Sequence, residues 1–208
     1  MSDEKVFKRE QMIQGIVSVI ELLETVSSFV AKRLCEDCET AEEEWAEKKS
    51  QILKQLRNLI GKYDFARYLP KDESGISAQA ILHQLIKIQY TFSQIVVLID
   101  MIRGEPFGDV YLDSITSISS KMNQQLVAIK NLAKESISNK EAAIVALRAV
   151  ERLEREIDED NIVICRQISV ASVDGETDFT CYIMRKIVSE MEHISDYIKA
   201  AAEILVDI

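Results

Sequence analysis

Apolar residues recur at helical spacing along nearly the whole chain, and this periodicity constrains the fold more than any other feature of the sequence. Turn signals divide the pattern into six segments of roughly 25 to 32 residues, each long enough for a helix of about 40 Å. The predicted helices cover about 6–34, a second segment from the acidic run 42–44 to about 61, about 77–102, about 110–133, from 138 to before 174, and about 177–206.

The breaks between these segments are few and short. Pro70–Gly75 is predicted to be a loop, and Asp174-Gly175 separates the last two segments. Ser138 with Glu141 has the spacing of a capping box, which predicts that the fifth helix starts at Ser138. The strongest break, Gly104–Gly108, lies at the midpoint of the chain.

Composition supports long helices rather than strands. The 208 residues include only 6 Gly and 2 Pro, and aromatic residues make up 6%. Strand-rich domains need frequent turn residues and favour aromatic side chains. We therefore predict an all-α fold, an elongated up-and-down bundle of six long helices in one domain over residues 1–208. The midpoint break suggests two three-helix repeats, about 6–104 and about 108–206.

The charge balance excludes one large class of function and is uneven along the chain. The 25 basic and 35 acidic residues give a net charge of −10, and a nucleic-acid binder needs a basic face. Residues 1–104 hold 14 basic and 16 acidic side chains (−2), and residues 105–208 hold 11 and 19 (−8). The excess of acid is therefore in the second half.

Catalytic motifs are scarce, which predicts a protein that is not an enzyme. The sequence has no GxGxxG, no GxxxxGK[ST] and no GxSxG. Glu190 and His193 form an ExxH pair, but a di-iron bundle needs a second such pair, and Ala80 stands where the other histidine, His83, would need a glutamate.

The sequence also predicts a cytoplasmic protein that is at most peripheral to a membrane. Uninterrupted apolar runs such as Ile95–Ile99 are much shorter than a membrane span, and the polar start of the chain does not resemble a signal peptide. Cys35 and Cys38 form a lone CxxC pair, whereas a zinc ribbon needs two pairs, so we expect reduced thiols.

Carboxylates are the best candidates for a functional site. Glu154 and Asp158 in the fifth segment, and Glu192 and Asp196 in the sixth, both have the pattern E-x-x-x-D, which places two carboxylates on one helix face. Glu151 extends the first pair by one turn. Opposed on antiparallel helices, the pairs would form an oxygen site for iron or another hard cation. The alternative is a solvated acidic face without a ligand.

These segments resemble a known family. Val150–Asp158 and Met191–Glu203 look like the paired signature of PhoU-type proteins, and the whole chain resembles the PhoU-like phosphate transport regulators of archaea and bacteria. Tyr68–Ser74 is similar to that family's connector within one half. The resemblance implies two three-helix repeats, surface E(D)-x-x-x-D motifs that bind iron or other metal clusters, and regulation of phosphate uptake through a phosphate permease or its regulatory machinery.

The first half departs from the family's motif. An offset of 103 residues, close to half the chain, places the equivalents of the four acids at Gln51, Gln55, Gln89 and Ser93. Amides and a hydroxyl are weak ligands for a metal cluster, so one metal face is expected, in the second half only. The alternative function is a metal-free helical scaffold or oligomerisation protein whose exposed faces pair with other helices, and a homo-oligomer is possible under either hypothesis.

Overall fold

The computed structural model describes residues 7–35, 42–102, 109–171 and 179–208, and within these ranges it contains helices and no strand. The six helices are α1 (Arg9–Cys35), α2 (Glu42–Lys62), α3 (Glu73–Met101), α4 (Asp109–Glu135), α5 (Lys140–Ala171) and α6 (Phe179–Leu205). A short 3-10 helix, Tyr63–Tyr68, follows α2. The all-α prediction is confirmed for the described residues, and the helices pack as a bundle.

The start of α3 differs from the predicted loop Pro70–Gly75. The Asp72 side chain accepts a hydrogen bond from the Gly75 backbone N–H at 3.1 Å and caps the helix, which therefore begins at Glu73. Gly75 lies in the first turn of α3. This position requires glycine, because a Cβ there would stand 1.8 Å from the Pro70 carbonyl oxygen. The loop prediction is wrong for Glu73, Ser74 and Gly75.

The start of α5 also differs from prediction. The side-chain oxygen of Asn139 accepts a hydrogen bond from the Ala142 backbone N–H at 3.1 Å, and Lys140 is the first helical residue. Asn139 is therefore the capping residue, and the capping box at Ser138 is wrong. The predicted breaks at Gly104–Gly108 and Asp174-Gly175, and the thiol of Cys38, lie outside the described residues.

Buried apolar side chains from all six helices form one continuous cluster. α1, α3, α4 and α6 contact one another at its centre, α5 packs against α4 and α6, and α2 packs mainly against α1. Lys130 of α4 pairs with Glu24 of α1, and Lys134 pairs with Glu21 at 3.6 Å. Because later residues of α4 meet earlier residues of α1, these two helices are antiparallel.

Within the described part of the chain, one helix is long and apolar enough to cross a membrane, namely the stretch Arg9–Lys32 of α1, which has a mean hydropathy of 1.5. The sequence prediction considered only uninterrupted apolar runs and therefore did not identify this helix. Half of the stretch is buried inside the bundle, and its apolar residues form part of the common core. A core helix and a membrane span pass the same test of length and composition.

Candidate metal centre

Two acidic pairs meet between α5 and α6. Glu154 and Asp158 on α5 and Asp196 on α6 each offer a carboxylate oxygen, and these three oxygens lie within 4.8 Å of one another. This is the single group of three or more potential His, Cys, Asp or Glu ligands within the described ranges. We call Glu154, Asp158 and Asp196 the acidic cluster.

Two crossed hydrogen bonds join α5 to α6 and show their relative direction. Lys199 of α6 donates from Nζ to Glu154 Oε1 at 2.8 Å, and Asn161 of α5 donates from Nδ2 to Glu192 Oε2. Each donor stands seven residues, about two turns, after the glutamate of its own helix, so it lies on the same helical face. The later residue of each helix contacts the earlier residue of the other, and the two helices are therefore antiparallel.

The remaining two predicted ligands are placed differently. Glu192 accepts a hydrogen bond from Asn161 and is not one of the three converging acids. Burial raises its pKa most, and the charges of Asp158 and Asp196 raise it further. Glu151 is half-buried one turn before Glu154 and does not reach the acidic cluster. The structure thus brings together three of the five predicted ligands.

Burial and like charge act together on the acidic cluster. Glu154 is only 7% exposed. Desolvation raises the pKa of Asp158, and the nearby charges of Glu154 and Asp196 raise it further. Desolvation also raises the pKa of Asp196, followed by the charge of Glu154, whereas His193 and Lys199 act in the opposite direction. The negative charge of the cluster is therefore only partly balanced by the positive groups near it.

Lys199 is the cation closest to this charge. Its hydrogen bond to Glu154 is the main cause of its raised pKa. Asp158 Oδ1 is buried and receives no hydrogen bond from any described residue. One carboxylate of the cluster is thus neutralised within the protein, and another retains an oxygen that a cation could use.

A buried amide of α4 forms hydrogen bonds with the backbones of both α5 and α6. Gln125 of α4 is fully buried and donates from Nε2 to the backbone carbonyls of Val150, at 3.4 Å, and of Ser195, at 3.2 Å. Ser195 precedes Asp196, and Val150 stands about one turn before Glu154. Gln125 therefore ties α4 to both helices that carry the cluster.

Sequence reasoning missed Lys199, Asn161 and Gln125. The first two could have been found, because each extends an E-x-x-x-D pattern by three residues and so continues the same helical face. Gln125 gives no such signal, since a single amide within an apolar stripe does not show which carbonyls it will meet.

The first half does not form a matching cluster at the equivalent positions. Gln51 is exposed, and Gln89 donates to the Leu56 carbonyl instead of facing another ligand. Ser93 donates to the Gln89 carbonyl one turn earlier at 3.1 Å, and Gln55 Oε1 is buried without a partner among the described residues.

The ExxH pair is engaged within its own helix. Glu190 is buried, pairs with Lys186 at 2.6 Å and stands 3.4 Å from His193 Nδ1. His83 is exposed on α3. Cys165 and Cys181 are half-buried thiols that form no disulfide with a described residue.

The donor set of the acidic cluster fits a hard divalent cation. Oxygens bound to one such ion at about 2.0 to 2.6 Å lie no more than about 5 Å apart, and the cluster meets this limit. A cation would also relieve the repulsion that raises the pKa of Asp158 and Asp196. Lys199 would have to share or release Glu154.

Comparison of the chain with models of known protein families, with curated proteins and with solved structures gives no match.

Proposed function

We propose that this protein is a non-enzymatic, PhoU-like regulator of phosphate uptake that acts in the cytoplasm on a phosphate permease or its regulatory machinery, and that its second half binds iron or another divalent metal. The observation that carries the proposal is the convergence of the two E-x-x-x-D motifs on antiparallel helices. The resemblance described above rests on these motifs, and their carboxylates are suited to a cation.

The packing of the helices is consistent with two three-helix repeats arranged up and down. The first helices of the two halves, α1 and α4, contact each other, as do their third helices, α3 and α6. The second helix of each half, α2 or α5, packs outside this central group. A duplicated unit related by a two-fold axis would produce this pattern.

The metal part of the proposal depends on oxygen chemistry. Carboxylates suit magnesium, calcium and manganese, and they also serve as ligands in carboxylate-bridged iron sites. Glu154, Asp158 and Asp196 would supply three ligands, and Glu192 lies close enough to add charge. The bound cation would neutralise part of the acidic second half and present a positive charge to an anionic ligand or partner.

A second candidate, a metal-free scaffold, is favoured by the contact between Lys199 and Glu154. The ammonium group already supplies a cation to the buried carboxylate at 2.8 Å. In this alternative Lys199 is the permanent counter-ion of the cluster, and the helices serve only to pack against one another and against partners.

Metal content separates the two candidates. Protein purified without chelator, then equilibrated with ferrous iron under anaerobic conditions or with manganese, should retain about one metal ion and gain thermal stability, because a ligand that binds only the native state stabilises it. The Glu154→Gln, Asp158→Asn double variant should lose both effects, since it removes two of the three converging ligands.

The matched control is Glu159→Gln with Glu203→Gln, which removes two exposed carboxylates from the same helices outside the cluster. Equal metal content in the two double variants would rule out the cluster as the site. Absence of metal from the wild type, with no stabilisation by any divalent cation, would favour the metal-free scaffold.

The regulatory part of the proposal needs a cellular measurement. Deletion of the gene should alter uptake of radiolabelled phosphate, and the wild-type gene should restore it. Unchanged uptake at both low and high external phosphate would contradict a role in phosphate transport, whatever the metal content of the protein.

A further inference from the structure

α3 carries a long apolar stripe on its solvent side. The stripe consists of Ile76, Gln79, His83, Ile86, Tyr90, Val97 and Met101. At 3.6 residues per turn all seven positions fall within an arc of about 80° and along a length of about 38 Å. All seven are exposed, and its five large apolar side chains are 46% to 67% exposed.

The stripe carries no acidic, lysine or arginine side chain, and the charges that follow the first turn of α3 are used inside the protein. Lys87 Nζ lies 5.0 Å from the centre of the Tyr197 ring of α6. Asp100 accepts hydrogen bonds from Trp45 Nε1 and Lys49 Nζ of α2, both at 2.6 Å. A helix with apolar residues on both its inner and its outer face is typical of a helix that is buried on both faces by other protein surface.

The exposed area approaches what a stable interface needs. At these exposed fractions the five apolar side chains together leave on the order of 600 Å² open to water along the stripe, with Gln79 and His83 lying between Ile76 and Ile86. A standard interface buries about 800 Å² per partner. Beside the stripe, an open groove of about 320 Å³ lies between α2 and α3, lined by Leu53, Leu56, Arg57, Ile60, Gln89 and Ser93.

Four of the five apolar residues of the stripe are arranged nearly symmetrically about Ile88, whereas Val97 has Gln79 at its mirror position. Ile86 and Tyr90 stand two positions on either side of it, and Ile76 and Met101 stand 12 and 13 positions away. A symmetric dimer uses the same patch on both subunits, so residues equally distant from the two-fold axis must fit each other. An antiparallel pair of α3 helices would place Ile76 against Met101 and Ile86 beside Tyr90.

The charge distribution also favours a second copy of this chain. The first half, which contains α3, has a net charge of −2, against −8 for the second half. The stripe itself carries no acidic, lysine or arginine side chain, so two copies can meet there without like-charge repulsion at the contact. A helix that binds an anionic membrane surface has basic residues along its polar face, and the exposed stripe of α3 has none.

We infer that the protein forms a homodimer through antiparallel packing of the α3 stripe on the α3 stripe of a second copy, with Tyr90 near the two-fold axis. The dimer is independent of metal and of the role in phosphate uptake. The acidic clusters of the two copies lie on other helices.

Sedimentation velocity and light scattering of the full chain at micromolar concentration test this inference. The wild type should have about twice the chain mass of 23.6 kDa. Tyr90→Glu should raise the dimer dissociation constant at least about tenfold, because it places a charge at the centre of the interface. Tyr182→Glu, the same change at a similarly exposed tyrosine of α6, should leave the dimer intact.

The helical circular dichroism of both variants shows whether they fold. A wild type that stays monomeric at about 100 µM would overturn the inference, because a standard interface gives tighter association. A dimer that survives Tyr90→Glu, or that Tyr182→Glu dissociates equally, would show that another face is used.

The antiparallel register has its own test. Ile76→Lys and Met101→Glu should each weaken the dimer, and the double variant should recover a dissociation constant within about threefold of wild type, since opposite charges then face each other across the interface. The two positions lie about 38 Å apart in one chain, too far to interact within it. Failure of the double variant to recover association would contradict the antiparallel arrangement.

Discussion

Asp158 shows most clearly, at the scale of single residues, why the acidic cluster is unfavourable at neutral pH. Its Oδ1 is buried without a hydrogen-bond donor from the described residues, and burial together with Glu154 and Asp196 raises its pKa above the ordinary 3.8. Because the native carboxyl holds its proton more tightly than the unfolded one, the native state binds more protons between the two pKa values. Stability therefore falls as pH rises through that window.

Asp158→Asn should consequently stabilise the metal-free protein at pH 7. Because Asp158 is only partly buried and solvent screens the repulsion, the expected rise in Tm is at most about 2 °C, which corresponds to less than about 1 kcal/mol in a protein of this size. Urea unfolding between pH 8 and pH 4 should show this advantage shrinking as the pH falls toward 3.8, because the native carboxyl then becomes protonated and the unfolded carboxyl is about half protonated. Glu159→Gln, at an exposed site of the same helix, is the control, and a wild type as stable as Asp158→Asn at pH 7 would contradict the argument.

At the scale of an element, the start of α3 shows how one glycine positions a helix. Asp72 caps the helix, and the chain turns so tightly before it that the Pro70 carbonyl oxygen occupies the space of a Cβ at Gly75. This contact is with backbone and cannot be relieved by a change of rotamer. The entry of α3, which bears both core residues and the exposed stripe, depends on the absence of a side chain there.

Two glycine substitutions should therefore have opposite effects. Gly75→Ala should lower the free energy of unfolding by about 2 kcal/mol or more, because the Pro70 segment must move. Gly61→Ala, in the last turn of α2 with nothing within 4 Å of the added carbon, should raise it by about 0.5 to 1 kcal/mol through helix propensity. Chemical denaturation measures both, and equal effects of the two changes would show that the close approach at Gly75 is unimportant.

At the scale of the whole molecule, charge acts in two directions. The net charge of −10 repels itself, most strongly in the second half, whereas partly buried ion pairs such as Lys121–Asp160, at 2.8 Å, hold helices together. Salt screens exposed charges more than partly buried ones. Salt therefore weakens the repulsion between exposed acidic side chains more than it weakens the partly buried ion pairs.

Tm should accordingly rise by a few degrees between about 20 mM and about 500 mM sodium chloride, as the Debye length falls well below the size of the protein. The Glu154→Gln, Asp158→Asn, Asp196→Asn variant should show a smaller rise, because its net charge is −7 instead of −10. Differential scanning calorimetry with chelator present measures both proteins. A Tm that falls with salt would mean that the ion pairs outweigh the repulsion.

Local signals in the sequence explain which features of the fold were predictable. Helical periodicity and the scarcity of Gly and Pro predicted six helices, whose described ends lie within a few residues of prediction. The errors fell at Glu73–Gly75 and at Asn139, where a capping side chain selects one of several polar residues as the helix start. The close approach of Gly75 to Pro70 depends on the exact backbone path through the turn, which the pattern of residue types does not specify.

The acidic cluster was likewise predictable in part from the sequence. Spacing of four residues was enough to place Glu154 with Asp158, and Glu192 with Asp196, on common helix faces, because the helical repeat fixes neighbours within a segment. Only the packing of α5 on α6 decided that Asp196 joins Glu154 and Asp158, that Asn161 binds Glu192, and that Lys199 reaches Glu154. Those choices depend on the register between two helices, which is set by the core and by Gln125, and no segment carries that register by itself.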